Sequence, residues 1–155
     1  MMTVVNMLFL EHQILNMKNI VLFKSSKSED AVFNELQKAK TQMENYKMLR
    51  SGKYVMNVWN DESKILAPLH NAPDDLPQGW EYKKVFRLEH AVKTRHEGPY
   101  AMLGNSVDIL GKYLSKQGYT PITGCYYVIV NEWHSRNDLD NAIIDIYVGV
   151  SGNIL

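Results

Sequence analysis

The closing run "NAIIDIYVGV", residues 141–150, places Asp145 and Tyr147 two positions apart, and side chains two apart on a strand share a face. Ala142, Ile144, Ile146, Val148 and Val150 make up the other, wholly apolar face. That face is expected to meet helices, so Asp145 and Tyr147 project from the opposite side. An acidic residue in mid-strand needs solvent or a partner. A carboxylate beside aromatic rings suits a flat, apolar ligand, cationic or neutral, held by stacking, cation–π attraction and charge pairing.

Further aromatic side chains are available to such a site. The run "CYYVIV" at 125–130 supplies Tyr126 or Tyr127, depending on which face turns inward, and Tyr54 and Trp59 occupy comparable places in the first half of the chain. Trp80 lies in a connector and is expected to fold back onto the body, because its ring is costly to leave in water. The plainer readings of the same residues are a solvated strand face and ordinary core packing.

Other chemistries find less support. His12, His70, His90, His96 and His134 are scattered without the i, i+4 spacing of a helical metal site. No nucleophile-elbow serine or glycine-rich phosphate loop is present. The single cysteine, Cys125, rules out an internal disulfide and a cysteine-based zinc site; it fits a reducing cytoplasm and reads as a buried strand thiol. His96 and Glu97 adjoin a helix start in "HEGPY" and read as a surface entry loop. No metal or cofactor is expected.

Lys+Arg and Asp+Glu balance at 17 each, with no basic stripe to follow a phosphate backbone, so direct nucleic-acid binding is not expected. No segment reaches the roughly 20 apolar residues of a membrane helix. The apolar N-terminal run lacks the basic start and small-residue cleavage site of a secretory signal.

The elements that must position these side chains can be read from periodicity. "NIVLFK" at 19–24 reads as a strand, with Ser28 as a helix N-cap behind it. Val32, Leu36, Ala39, Met43 and Tyr46 recur at spacings of three and four, predicting a helix over 29–48. A hairpin follows, 53–59 and 64–69, turning at Asn60-Asp61-Glu62-Ser63. After the connector "HNAPDDLPQGWEY", the run "KVFRLEHAVKTRH" predicts a strand bent or bulged near Glu89-His90. Pro99 suits a first helical position, Tyr100, Leu103, Val107, Leu110 and Leu114 share a helical face, and Gly118 suits a left-handed cap. Two closing strands complete the order, so strand, helix, strand, strand occurs twice. The fold class is therefore α+β: tandem βαββ modules, an antiparallel sheet with two helices packed on one face and the other face free for a ligand cleft.

The segment "RHEGPYAMLGNSVDILGKYL" resembles the H-x-G-P-Y and following helix of the GyrI-like small-molecule-binding domains, also called AraC effector-binding domains. "LPQGWEYKKVFRLEHAVKTRHEGPY" is similar to that family's connector and strand, and "YYVIV…NAIIDIYVGV" to its closing pair. The resemblance covers roughly residues 17–150. It implies an N-terminal extension over 1–16, then a domain over 17–155 with module one at about 17–70, a connector at about 70–82 and module two at about 83–150. It also implies a cleft between the modules.

The family's drug-binding members carry an acidic residue in the strand matching "YYVIV", where Tyr127 stands here, and a second one matching Asp145. The resemblance thus implies non-enzymatic binding of amphipathic aromatic molecules, cationic or neutral, for sensing or sequestration. Tyr54, Trp59, Tyr127 and Tyr147 would wall the cleft, Asp145 would supply charge, and Trp80 and Tyr100 would close its rim. The family also contains a hydrolytic branch and a gyrase-inhibitor branch, so a hydrolase of strained or electrophilic compounds and a protein-interaction module are the alternatives. The residues ahead of the first helix leave no room for a helix-turn-helix, so a DNA-binding half would be a separate protein.

Overall fold

The computed structural model describes residues 7–25, 29–59 and 62–152; Ser28, the Asn60-Asp61 turn and residues 1–6 of the expected extension lie outside them. Strand β1 is Leu10–Ser25, helix α1 Glu29–Asn45, β2 Val55–Trp59, β3 Glu62–Pro68 and β4 Glu81–Gly98. A 3-10 turn at Tyr100–Met102 leads into α2, Leu103–Gln117; β5 is Tyr119–Ile129, and a second 3-10 segment, Arg136–Asn141, precedes β6, Ala142–Gly152.

All six strands pair antiparallel in the order β1-β3-β2-β5-β6-β4, and β4 returns to β1, so the sheet closes into a barrel. The antiparallel sheet is as expected and its closure is not: the long strands β1 and β4 pair from Leu10↔Lys93 to Leu22↔Glu81, which joins the two ends of the strand order. β1 also begins at Leu10 rather than near residue 17, because its first half finds hydrogen-bond partners on β4.

Two apolar clusters divide the strands' side chains. One joins Val32, Leu36 and Met43 of α1 and Leu103, Leu110 and Leu114 of α2 to Met56, Ile65, Val92, Tyr127, Ile144 and Ile146 of the strands. The expected apolar face of β6 is therefore the one beneath the helices. The second cluster, built on Leu15, Ile20, Leu22, Val55, Leu66, Leu88 and Ala91, draws on strands alone, with Phe86, Tyr126, Val128 and Tyr147 packed at its margin. It marks the barrel face turned away from the helices.

Local chemistry sets the joints. Gly118 ends α2 in the left-handed conformation, φ 78°, where a glycine meets no Cβ penalty. Pro99 stands one residue ahead of the 3-10 turn with ψ 138°, so it introduces the helix instead of opening it. His12 and His90 have φ of 58° and 54°, and the β1–β4 register slips between Leu10 and Gln13 and again between Gln13 and Leu15. The bulge expected near Glu89-His90 is thus present, matched by one at His12.

Candidate functional site

The run "KTRHEG" alternates along β4, with Val92, Thr94 and His96 buried and Lys93, Arg95 and Glu97 on the other side. Antiparallel pairing puts Arg95 directly opposite Asp145 and Lys93 opposite Tyr147. Arg95 donates from Nε to Asp145 Oδ1 at 2.7 Å and from Nη2 to Oδ2 at 3.2 Å, the forked geometry that suits guanidinium to carboxylate. Lys93 Nζ lies 3.6 Å from the same Oδ2 and 5.4 Å from the centre of the Tyr147 ring. Asp145 is only 7% exposed, whereas the Arg95 side chain is 47% exposed. The hydrogen bond to Asp145 holds the Arg95 guanidinium above its ordinary pKa.

On the other flank of β6, Val128 stands opposite Asp145 and Tyr126 opposite Tyr147. The Tyr126 ring leans on Phe86 at 5.1 Å between centres, and burial raises its hydroxyl pKa. Asp145 therefore sits among two cations and a band of aromatic side chains.

Over this group opens a cavity of ≈ 400 Å³ lined by the charged side chains Lys93, Arg95, Glu97 and Asp145 and by the apolar residues Met7, Leu8 and Leu10. The apolar residues are Met7 and Leu8, just ahead of β1, and Leu10, its first residue. Leu10 pairs with Lys93, and the Thr94 hydroxyl donates to the Leu8 carbonyl at 2.8 Å. Phe9, alternating to the helix side, stacks on Tyr113 of α2 at 4.1 Å. Glu11 accepts hydrogen bonds from the hydroxyls of Tyr113 and Tyr119, which lower its pKa. Those bonds raise the Tyr113 hydroxyl to about 12 and the Tyr119 hydroxyl likewise upward.

The structure brings together Asp145 and Tyr147 as expected, and separates most of the other candidates from them. Tyr127 points beneath the helices, buried opposite Ile146, and burial raises its hydroxyl pKa; its neighbour Tyr126 takes the cleft side. Tyr54 is likewise in the helix-side core, its hydroxyl 3.7 Å from Met43 Sδ and its ring covered by Arg50 at 3.9 Å. Tyr100 is buried against Trp133, edge to face at 5.6 Å between centres. Trp80 folds back, as expected, but onto Phe23 at 4.3 Å. Trp59 is 49% exposed and shares a separate hollow of ≈ 280 Å³ with Asn57, Lys64 and Tyr126. None of Tyr54, Trp59, Trp80, Tyr100, Tyr127 or Tyr147 lines the cavity at Asp145, and neither does Tyr126; Tyr147 stands beside it, with Lys93 Nζ 5.4 Å from its ring centre.

His96 is not in a surface loop. It is buried, with Nδ1 2.7 Å from Ser106 Oγ and Nε2 2.9 Å from the Pro99 carbonyl. A carbonyl only accepts, so Nε2 carries the proton and Nδ1 accepts from the serine hydroxyl. This pair ties the end of β4 to the first turns of α2, across the Gly98 turn with φ 135°. Both ring nitrogens are engaged in positioning a helix.

The residues that the sequence reading missed are Arg95, Lys93 and Tyr126. The alternation of "KTRHEG" was a usable signal, but only the pairing register says which of its cations meets Asp145. Both oxygens of Asp145 already accept hydrogen bonds from Arg95, and Lys93 Nζ lies 3.6 Å from one of them, so the carboxylate is engaged by side chains of its own sheet. The arrangement suits noncovalent capture: an apolar lining, a charge-balanced polar lining and aromatic flanks. Among the described residues no group of three or more His, Cys, Asp or Glu side chains could hold a metal ion, and no helix is long and apolar enough to cross a membrane.

No family model matches the chain, and no curated protein matches it. Solved structures do. The crystal structure of the EcmrR C-terminal domain superimposes with a TM-score of 0.67 at 11% identity, covering 92% of this chain and 99% of that one. EcmrR in its complex with DNA gives 0.64 at 12% identity, over 94% of this chain and 58% of the larger one. A protein described as a hydrolase from Listeria innocua gives 0.56 at 12% identity, over 94% and 91% of the two chains. At these identities the likeness is one of fold, and it is consistent with the GyrI-like fold that the sequence resembles.

Proposed function

We propose that this chain is a non-enzymatic small-molecule-binding domain, built as two βαββ modules of the GyrI-like kind, that takes an amphipathic, aromatic ligand for sensing or sequestration. The observation that carries this reading is the cavity that Met7, Leu8 and Leu10 line together with Lys93, Arg95, Glu97 and Asp145. An apolar body would lie against the apolar residues and a polar edge against the charged ones, while Tyr147 and Tyr126 offer stacking surface beside it. The shared fold with the EcmrR C-terminal domain supports an effector-type role. Trp59 serves a second, smaller part of the same face. A cytoplasmic setting suits the lone half-buried Cys125.

The hydrolase alternative draws on the Listeria innocua likeness. It would require Asp145 to activate water, whereas both oxygens of that carboxylate already bond Arg95 and one lies beside Lys93. A protein-interaction role remains the outcome to expect if small molecules fail.

Nile red, a neutral amphipathic fluorophore, tests the reading by titration. Saturable binding of one molecule per chain, weakened about three- to tenfold by Tyr147→Ala and by Leu10→Asp, is the expected result. Absence of binding by the folded protein removes the small-molecule reading.

A further inference from the structure

A buried carboxylate among aromatic rings would ordinarily attract a cation, yet here its own sheet already provides one. Arg95 is the Cα partner of Asp145 in the β4–β6 ladder and reaches both carboxylate oxygens. Lys93, two residues away on the same side of β4, approaches Oδ2 and lies over Tyr147. The ring and the carboxylate that could form a cation cage thus hold side chains of this chain. Lys93 and Arg95 also balance Asp145 and Glu97 on the cavity wall, so no excess negative charge remains there to draw a cation in.

We propose that Arg95, assisted by Lys93, is the specificity-determining residue of this cleft: by occupying Asp145 it turns cations away, so that the cleft takes amphipaths without net positive charge. The proposal deepens the binding reading above and rests on it for the native ligand, but the charge rule has its own chemistry. An incoming cation would have to displace a guanidinium that makes two hydrogen bonds with Asp145, and an Arg fork is better matched to carboxylate than most ligand cations. A neutral or zwitterionic molecule meets no such competitor. Removing the two cations would leave Asp145, largely shielded from water, with an uncompensated charge that a ligand cation could satisfy.

Zwitterionic rhodamine B and its cationic ethyl ester share one ring system and differ in net charge, so their relative affinity reads the rule directly. The wild-type chain is expected to hold rhodamine B at least as tightly as the ester. Lys93→Gln/Arg95→Gln is expected to bind the ester about tenfold tighter than wild type, and adding Asp145→Asn should abolish that gain. Arg95 is half in water, and the single Arg95→Gln variant, in which part of the gain should already appear, guards against loss of folding, checked by circular dichroism. A wild-type preference for the ester that disappears in Asp145→Asn overturns the proposal, as does a folded double variant with no gain. If wild type binds neither dye but the double variant gains Asp145-dependent ester binding, the charge rule stands and the native small-molecule role falls. If no folded variant binds either dye, both fall.

Discussion

Arg95 and Asp145 face one another across the β4–β6 ladder and share two hydrogen bonds, 2.7 and 3.2 Å long. The acid lies among side chains and the base reaches into water, so the pair is neither a surface ion pair nor a fully buried one. Asp145→Asn is expected to lower stability by about 1 kcal/mol, between the small value of exposed pairs and the larger cost of breaking buried ones. Urea unfolding of the two proteins checks this, and an unchanged midpoint would mean that the pair contributes nothing to the fold.

His96 ties β4 to α2 through Ser106 and the Pro99 carbonyl. His96→Ala leaves buried polar groups unsatisfied and is expected to cost about 1–3 kcal/mol. Ligand affinity measured well below the unfolding midpoint should be unaltered, since this side chain is on the helix side of the sheet. A change in affinity without a change in stability would place His96 in the binding chemistry.

The Glu11 clasp gives a pH window. Its carboxyl is held below the usual 4.5 by hydrogen bonds from Tyr113 and Tyr119, so its contribution is complete above that value and is lost as pH falls through the lowered pKa. Tyr113 is raised from 10.0 to about 12, so its contribution is complete below 10 and disappears as pH rises through the raised value. Docking of the first residues of β1 should thus be strongest between these limits. Amide hydrogen exchange at residues 8–13 should quicken relative to β6 on acidification, and Glu11→Gln should reduce that pH dependence.

Gly124 is where β5 passes under Trp59. A Cβ at that position would collide first with the Val58 carbonyl oxygen and would also lie 2.8 Å from Trp59 Cε3, closer than packed atoms tolerate. Gly124→Ala is expected to destabilise by about 1–3 kcal/mol, within the usual range for overpacking, and to alter Trp fluorescence by displacing the indole. Unchanged emission and stability would contradict this packing.

Sequence pattern alone revealed the local parts of this architecture. The spacing of Leu103, Val107, Leu110 and Leu114, with Gly118 behind them, identified α2 and its cap because these interactions are made within a few residues. The apolar face of β6 was equally legible, since one strand's alternation defines its two sides. Adjacent tyrosines defeated the same logic in β5: a shift of one residue exchanges faces, and nothing local tells Tyr126 from Tyr127. The leading half of β1 was obscured for a related reason. Leu15 and Met17 share a cluster with Ile20 and Leu22, so the alternation changes phase at Lys18-Asn19, where Asn19 has φ 52°. Barrel closure and the Arg95–Asp145 partnership depend on β4 meeting both β1 and β6, relations between residues far apart in the chain.

The face away from the helices, at Asp145 and its neighbours, is the proposed ligand cleft. Amide correlation NMR during a Nile red titration tests it most directly. Saturable shifts concentrated at residues 8–10, 93–97 and 145–147, with α1 little affected, are the expected result. Saturable shifts centred instead on the helices, or none at ligand concentrations that saturate fluorescence, would contradict it.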